Sequence, residues 1–268
     1  MPRRSILRLV FSVLLIAPVT ARAAAPEWVE PMRKVHEKFA GQEHYVAQFG
    51  DSITHSLAFW SPLGWDDPEA YLPDDDGWPK KPKNQRWRDV ILGVRDKGGE
   101  HGNDGGWRVE NILAVQEKVL KEKRPEVAVI MVGTNDVRGN RVPEGYADGL
   151  VKIVDNCLAA HCVPLLTTIP PMRDHDKSVG EANAIIKKIA AEKKVPLIDY
   201  HAAILERRPE HTWDKTLLSD DGVHPSAGKT NDYSKENLKI DGYALRNWMT
   251  FLKYREVYFQ VLHPEELK

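Results

Sequence analysis

Apolar residues follow two kinds of pattern along the chain. Short runs, Val46-Ala47-Gln48-Phe49, residues 127–132 and residues 163–169, stop at turn-forming residues: Gly50-Asp51-Ser52, Gly133 and Pro170-Pro171. Runs of this length bounded by turn signals predict strands buried on both faces. Between them, residues 143–160 and 178–194 carry apolar positions at helical spacing, as in Ala182, Ile185, Ile186, Ile189 and Ala190, with charges on the opposite side. Val195-Pro196-Leu197-Ile198-Asp199 adds a short strand, and residues 238–262 read as a closing helix. Alternating strands and helices predict an α/β fold, a three-layer α/β/α sandwich around a central parallel sheet.

The first 23 residues fall outside that pattern. Arg3, Arg4 and Arg8 precede an apolar stretch from Leu9 to Val19, and Ala21-Arg22-Ala23-Ala24-Ala25 supplies small residues. This order reads as an export signal cut after Ala23, which implies a secreted or periplasmic protein. The stretch is shorter than the roughly 20 residues a membrane span needs, so no stable membrane insertion is expected after cleavage. Arg3-Arg4-Ser5-Ile6-Leu7-Arg8 also resembles a twin-arginine signal, with Ile6 in the usual aromatic place.

Residues 24–268 then form one expected domain of a size that single α/β domains reach. Loss of residues 1–23 leaves 34 basic against 39 acidic residues, a formal charge of −5, which invites no nucleic acid. Two cysteines, Cys157 and Cys162, exclude a disulfide-stapled scaffold and a cysteine-based zinc site. They flank a helix end and a strand start, and read either as a bridge or as two buried small residues.

In open parallel sheets, ligand groups gather beyond the carboxyl ends of the strands. Ser52 and Asn135 each follow an apolar run and therefore meet at one edge despite their separation in the chain. Three short words, Gly50-Asp51-Ser52-Ile53, Gly133-Thr134-Asn135-Asp136 and Asp221-Gly222-Val223-His224, then supply a hydroxyl, an amide and an Asp/His pair. Alone, each is an ordinary turn or helix cap. In this order, from about Tyr45 to about Ser226, they resemble the SGNH hydrolases, the GDSL-type esterase family with a flavodoxin-like fold.

The resemblance implies a serine esterase with Ser52 as nucleophile, His224 as base and Asp221 as the acid that orients it. A serine hydroxyl needs such a base, and the base needs a partner that sets its tautomer. Asp220 is the neighbouring alternative, but the family spacing is Asp-x-x-His. The implied oxyanion hole combines the backbone N–H of Ser52, that of Gly106 and the side-chain amide of Asn135, with Gly105 as the alternative glycine. The departures from the family are a polar run, residues 94–99, where an apolar strand is usual, and Arg108 where threonine is common.

No cofactor and no metal is expected. His55 falls on the first helix or near the pocket, and His101, His161, His175, His201 and His211 lack ligand spacing. Asp74-Asp75-Asp76-Gly77 lacks the alternating ligands of a calcium loop and reads as a solvated turn. An insertion at about residues 55–100 carries Trp60, Trp65, Trp78 and Trp87, with Trp107 just beyond. Trp60, Trp65 and Trp107 are the candidate substrate contacts, stacking on sugar rings, while packing of the insertion onto the domain is the other reading. The partner is then a small-molecule or polysaccharide ester, and O-acetylated carbohydrate is the leading substrate. A lysophospholipase or thioesterase of the same family is the second reading, and an inactive carbohydrate-binding protein the third.

Overall fold

A computed structural model describes residues 25–267, so the expected export segment, residues 1–23, lies outside the described residues. Strands β1 (Gln42–Gly50), β2 (Pro125–Met131), β3 (Val163–Thr167) and β4 (Leu197–Ile198) form one parallel sheet in the order β1-β2-β3-β4. Phe49 pairs with Ile130, Val129 with Leu165 and Leu166 with Leu197. Every residue of β2 and β3 is buried. Helices on both faces exclude water, which is why these strands read as continuous rather than alternating apolar runs.

The helices are α1 (Val29–His36), α2 (Ser52–His55), α3 (Trp87–Val90), α4 (Val109–Lys123), α5 (Tyr146–Ala159), α6 (Asp176–Lys193), α7 (Tyr200–Arg207) and α8 (Gly242–Val257). Helices α4, α5 and α6 make the three crossovers between successive strands and pack against one another in turn. Right-handed crossovers that step along the sheet in one direction put all three on one face. Helix α1 touches β3, and α8 touches β4. The closing helix is α8, continued by a π-type turn over Tyr258–Leu262.

Beyond β1 the sheet departs from expectation. The polar run, residues 94–99, is no strand; on this side, among the described residues, β1 meets only isolated parallel bridges, Tyr45 to Leu92 and Gly50 to Asn103. Positive φ at Gly93 and Gly98 breaks any extended segment there. The buried side chain of Asn103 supplies the missing ladder instead. Its Nδ2 donates to the carbonyls of Gln48 at 2.9 Å and Asp96 at 3.1 Å, while its Oδ1 accepts from Gly98 N–H at 3.2 Å.

Residues 56–98 pack onto α8. The Trp87 ring meets Phe251, Tyr254, Tyr258 and Phe259 edge-on, with centroids 5.2 to 6.2 Å apart. Asp76 holds Arg255 through both carboxylate oxygens, at 2.6 and 3.0 Å, and Asp74 meets Lys80 at 2.5 Å. Cys157 and Cys162 are buried free thiols, so the unbridged reading of the pair holds. Among the described residues, no helix is long and apolar enough to cross a membrane.

Candidate active site

The carboxyl end of β1 turns sharply at Gly50. A Cβ there would lie 2.2 Å from Thr54 Oγ1 and 2.6 Å from the Met131 carbonyl oxygen, so only glycine allows the following turn to fold back on the sheet. Asp51 is extended and buried, and its Oδ1 accepts from Ile53 N–H at 3.0 Å, capping α2. Burial pushes the Asp51 carboxyl up, against the pull of Ile53 N–H and Arg246. Ser52 thereby opens a single helical turn at the sheet edge, partly exposed.

Much farther along the chain, residues 217–226 form a hairpin-like loop. Leu218 and Pro225 make an antiparallel bridge, and Ser219 N–H donates to the His224 carbonyl at 2.8 Å. Gly222, with φ +69°, makes the reversal. Inside this loop the Asp221 carboxylate folds back as its spacing predicts. Its Oδ1 accepts from the N–H groups of Val223 and His224, both at 2.9 Å, and from the Ser219 hydroxyl at 2.8 Å. Its Oδ2 lies 2.6 Å from His224 Nδ1. Partial burial works to raise the Asp221 carboxyl, but these donors, led by His224, hold it well below the usual carboxylate range. On the far side of the ring, His224 Nε2 is 2.9 Å from Ser52 Oγ.

Arg173 fixes the loop from outside. Its guanidinium grips Asp214 at 2.9 and 2.6 Å and reaches the Asp220 carbonyl at 3.1 Å, while its N–H donates to the Gly222 carbonyl at 2.9 Å. Asp220 therefore meets Arg173 through its backbone, and Asp221 is the acid that faces His224. A Cβ on Gly222 would fall 2.7 Å from Arg173 Cβ, so substitution there would disturb both the turn and its anchor.

The third word follows β2. Asn135 precedes a 3-10 turn over Asp136–Gly139, and its Nδ2 donates to the Trp107 carbonyl at 3.0 Å while its Oδ1 accepts from Arg138 Nε at 3.1 Å. The neighbouring Asp136 is buried and accepts from Val109 N–H at 3.3 Å. Burial, with Glu110 adding to it, raises the Asp136 carboxyl to about 6. Together the two side chains hold residues 107–109 against the end of β2. Just before them, Gly106 has φ +74°, and beyond its two chain neighbours nothing lies within 4 Å of a Cβ placed there. Gly105 N–H is engaged by Asp104 Oδ1 at 2.7 Å. Among the described residues, Gly106 N–H meets no acceptor.

The candidate substrate contacts divide. Trp60 is a correction: it is 0% exposed, its ring 6.0 Å from Tyr254 in an edge contact, its backbone N–H bound to Asn247 Oδ1 at 2.8 Å. A ring wholly inside the core cannot stack on a sugar. Trp65 is 49% exposed. Trp107 is half-buried and joins the site through its carbonyl. His55 stays on α2, its ring 3.4 Å from the Asn103 carbonyl.

Arg138, Arg173, Asp214 and Ser219 are site residues that the sequence reading missed. Arg138 carried a usable signal, lying three residues after Asn135 in a predicted turn. The Arg173–Asp214 pair carried none, being a contact between distant segments.

Comparison with known proteins follows the same lines. A curated relative, "Thioesterase 1/protease 1/lysophospholipase L1" of Escherichia coli (strain K12), is 30% identical over 115 residues, covering 42% of this chain. The match spans about half, 52%, of that relative's length. Among solved structures, an acetylxylan esterase from Geobacillus stearothermophilus aligns over 81% of this chain and 95% of its own, with TM-score 0.51 and 18% identity. A lipase/acylhydrolase from Enterococcus faecalis aligns over 79% and 95%, with TM-score 0.52 and 18% identity. At these identities the structures share the α/β/α fold with this chain. A family model, the GDSL-like Lipase/Acylhydrolase family, matches residues 49–228, the span that contains all three words and more than half of the sequence. The chain belongs to the GDSL-like lipase/acylhydrolase family of ester-hydrolysing serine hydrolases.

Proposed function

We propose that this protein is an exported esterase that removes O-acetyl groups from a carbohydrate, with Ser52 as nucleophile, His224 as general base and acid, and Asp221 as the orienting carboxylate. The observation that carries the chemistry is the continuous chain from Ser52 Oγ to His224 Nε2 at 2.9 Å and from His224 Nδ1 to Asp221 Oδ2 at 2.6 Å. With Nδ1–H donated to Asp221, Nε2 is the free base that takes the serine proton as Oγ attacks the ester carbonyl. Asp221 stays ionised and stabilises the imidazolium. His224 then passes that proton to the departing alkoxide, and a water activated by the same nitrogen releases acetate from the acyl-serine.

Oxyanion stabilisation falls to the N–H groups of Ser52 and Gly106 and the Asn135 amide. Asn135 supports this with its bonding count: Oδ1 is taken by Arg138 and one Nδ2–H by Trp107, which leaves the second Nδ2–H for substrate. Gly106 is preferred to Gly105 because its N–H meets no acceptor among the described residues, while that of Gly105 meets Asp104.

Export rests on residues 1–23, and the carbohydrate reading on the half-exposed Trp65 and the polar surroundings of the loop that bears it. The curated relative's name favours a second reading, a thioesterase or lysophospholipase. Membership of an acylhydrolase family leaves the inactive binding protein without support. Acetate release from a panel of acetylated polysaccharides, set beside hydrolysis of long-chain acyl esters, separates the two. Preference for long acyl chains would replace the first reading with the second.

A further inference from the structure

Helix α2 is one turn of four residues, too short to hold its own shape. Its first carbonyls are used within the turn: Asp51 O accepts from His55 N–H at 2.8 Å, and Ser52 O from Ser56 N–H at 3.1 Å. The next two, on Ile53 and Thr54, have no partner inside the turn. Two cations from distant parts of the chain reach them. Arg246, on α8 and 0% exposed, donates from Nη1 to Ile53 O at 2.8 Å and from Nη2 to Thr54 Oγ1 at 2.9 Å. Lys97 donates from Nζ to Thr54 O at 2.7 Å and to Gln48 Oε1 at 2.5 Å. Both lie over the ring of Phe59, the guanidinium carbon at 3.5 Å and the ammonium at 5.2 Å.

Placing these groups here is expensive. Among the described residues neither cation has an ion-pair partner within 4.0 Å, and Arg246 Nε is buried without a hydrogen bond. Burial, with Arg246 alongside, brings the Lys97 amine down to about 7, and burial brings Arg246 down to about 10. Apolar side chains of like volume would serve packing at lower cost. What the cations add is a grip on α2 that apolar groups lack, with positive charge at the carbonyl end of the turn and the Asp51 carboxylate at its amide end.

We propose that Arg246 and Lys97 are positioning residues that hold the Ser52 turn at the distance and angle where its hydroxyl meets His224. The inference rests on the assignment of Ser52 as nucleophile. It makes the rate of the chemical step, rather than substrate affinity, the property these cations set, since a displacement of about 1 Å can cost about 100-fold in rate.

The test uses Lys97→Met, Thr54→Val and Arg246→Lys in the full mature chain. Thr54→Val removes only the hydroxyl that Arg246 grips, and Arg246→Lys keeps the charge but loses the two-pronged contact. The readouts are kcat and KM on an aryl acetate, and the rate at which a fluorophosphonate labels Ser52, each normalised to folded protein by circular dichroism. Expected is a fall of about tenfold or more in kcat and in labelling rate, with KM within about twofold of the parent. If Arg246→Lys does not fold, the other two variants decide. Variants that unfold at lower temperature yet match the parent in kcat and labelling would overturn the inference while leaving Ser52 as nucleophile. A parent that neither hydrolyses the ester nor labels at Ser52 would overturn both.

Discussion

His224 Nε2 lies 2.9 Å from Ser52 Oγ although 172 residues separate the two in the chain. Ser52 stands on the turn that ends β1, His224 on a hairpin-like loop clamped by Arg173. Each is positioned by local bonds that do not depend on the other: Asp51 caps the serine turn, and Asp221 organises the histidine loop. Their meeting is thus the product of two separately built supports, and each can be tested alone.

Asp221→Asn keeps the size of the side chain but offers the ring no carboxylate, so His224 loses the partner that fixes its tautomer. The expected result is a loss of about 1,000- to 10,000-fold in kcat on a simple aryl ester. Steady-state kinetics on the purified variant check it, and a loss below about tenfold would mean that Asp220 or water takes over the role.

Asn135→Ala removes the bond to the Trp107 carbonyl and, in the mechanism proposed, one of the oxyanion donors. We expect kcat to fall about 100- to 1,000-fold while KM changes little. A rise in KM with kcat intact would show instead that Asn135 serves ground-state binding.

Asp136 makes a pH-dependent contribution whose sign is fixed by its raised carboxyl. Between the ordinary value of 3.8 and about 6, the folded protein holds a proton that the unfolded chain releases. This contribution to stability is therefore greatest below 3.8 and is lost as pH rises through about 6. Asp136→Asn retains an acceptor for Val109 N–H without the buried charge. Thermal unfolding should show a higher midpoint for the variant than for the parent at about pH 8, and a smaller gain at about pH 4.5. A gain independent of pH would contradict this account.

Trp60 and Trp65, which flank a 3-10 turn over Ser61–Gly64, should behave differently. Trp60→Ala empties a core position and is expected to cost about 3–5 kcal/mol of stability. Trp65→Ala should leave the unfolding midpoint within about 1 °C of the parent, because its ring is half in solvent, and should raise KM on an acetylated polysaccharide more than on an aryl acetate. Equal effects on both substrates would remove Trp65 from the substrate surface.

How much of this was legible in the sequence follows from whether the cause is local. Strands β2 and β3 were readable because burial on both faces makes them continuously apolar. The approach of Asp221 to His224 was readable because three residues and a glycine turn suffice to make it. The edge beyond β1 was not: the side chain of Asn103 performs there the bonding of a strand, and no periodicity marks a side chain substituting for backbone. Trp60 was misplaced because tryptophan density marks a packed segment without telling which ring faces the core. Arg246 stood 192 residues from Thr54 with no pattern to connect them.

The most direct test of the central claim is the turnover of an aryl acetate by the protein and by its Ser52→Ala variant, measured at equal folded concentration. Loss of the serine should leave at most about 1/1,000 of the parent rate, the remainder that binding and oxyanion donors alone sustain. Equal turnover by variant and parent would show that Ser52 is not the nucleophile.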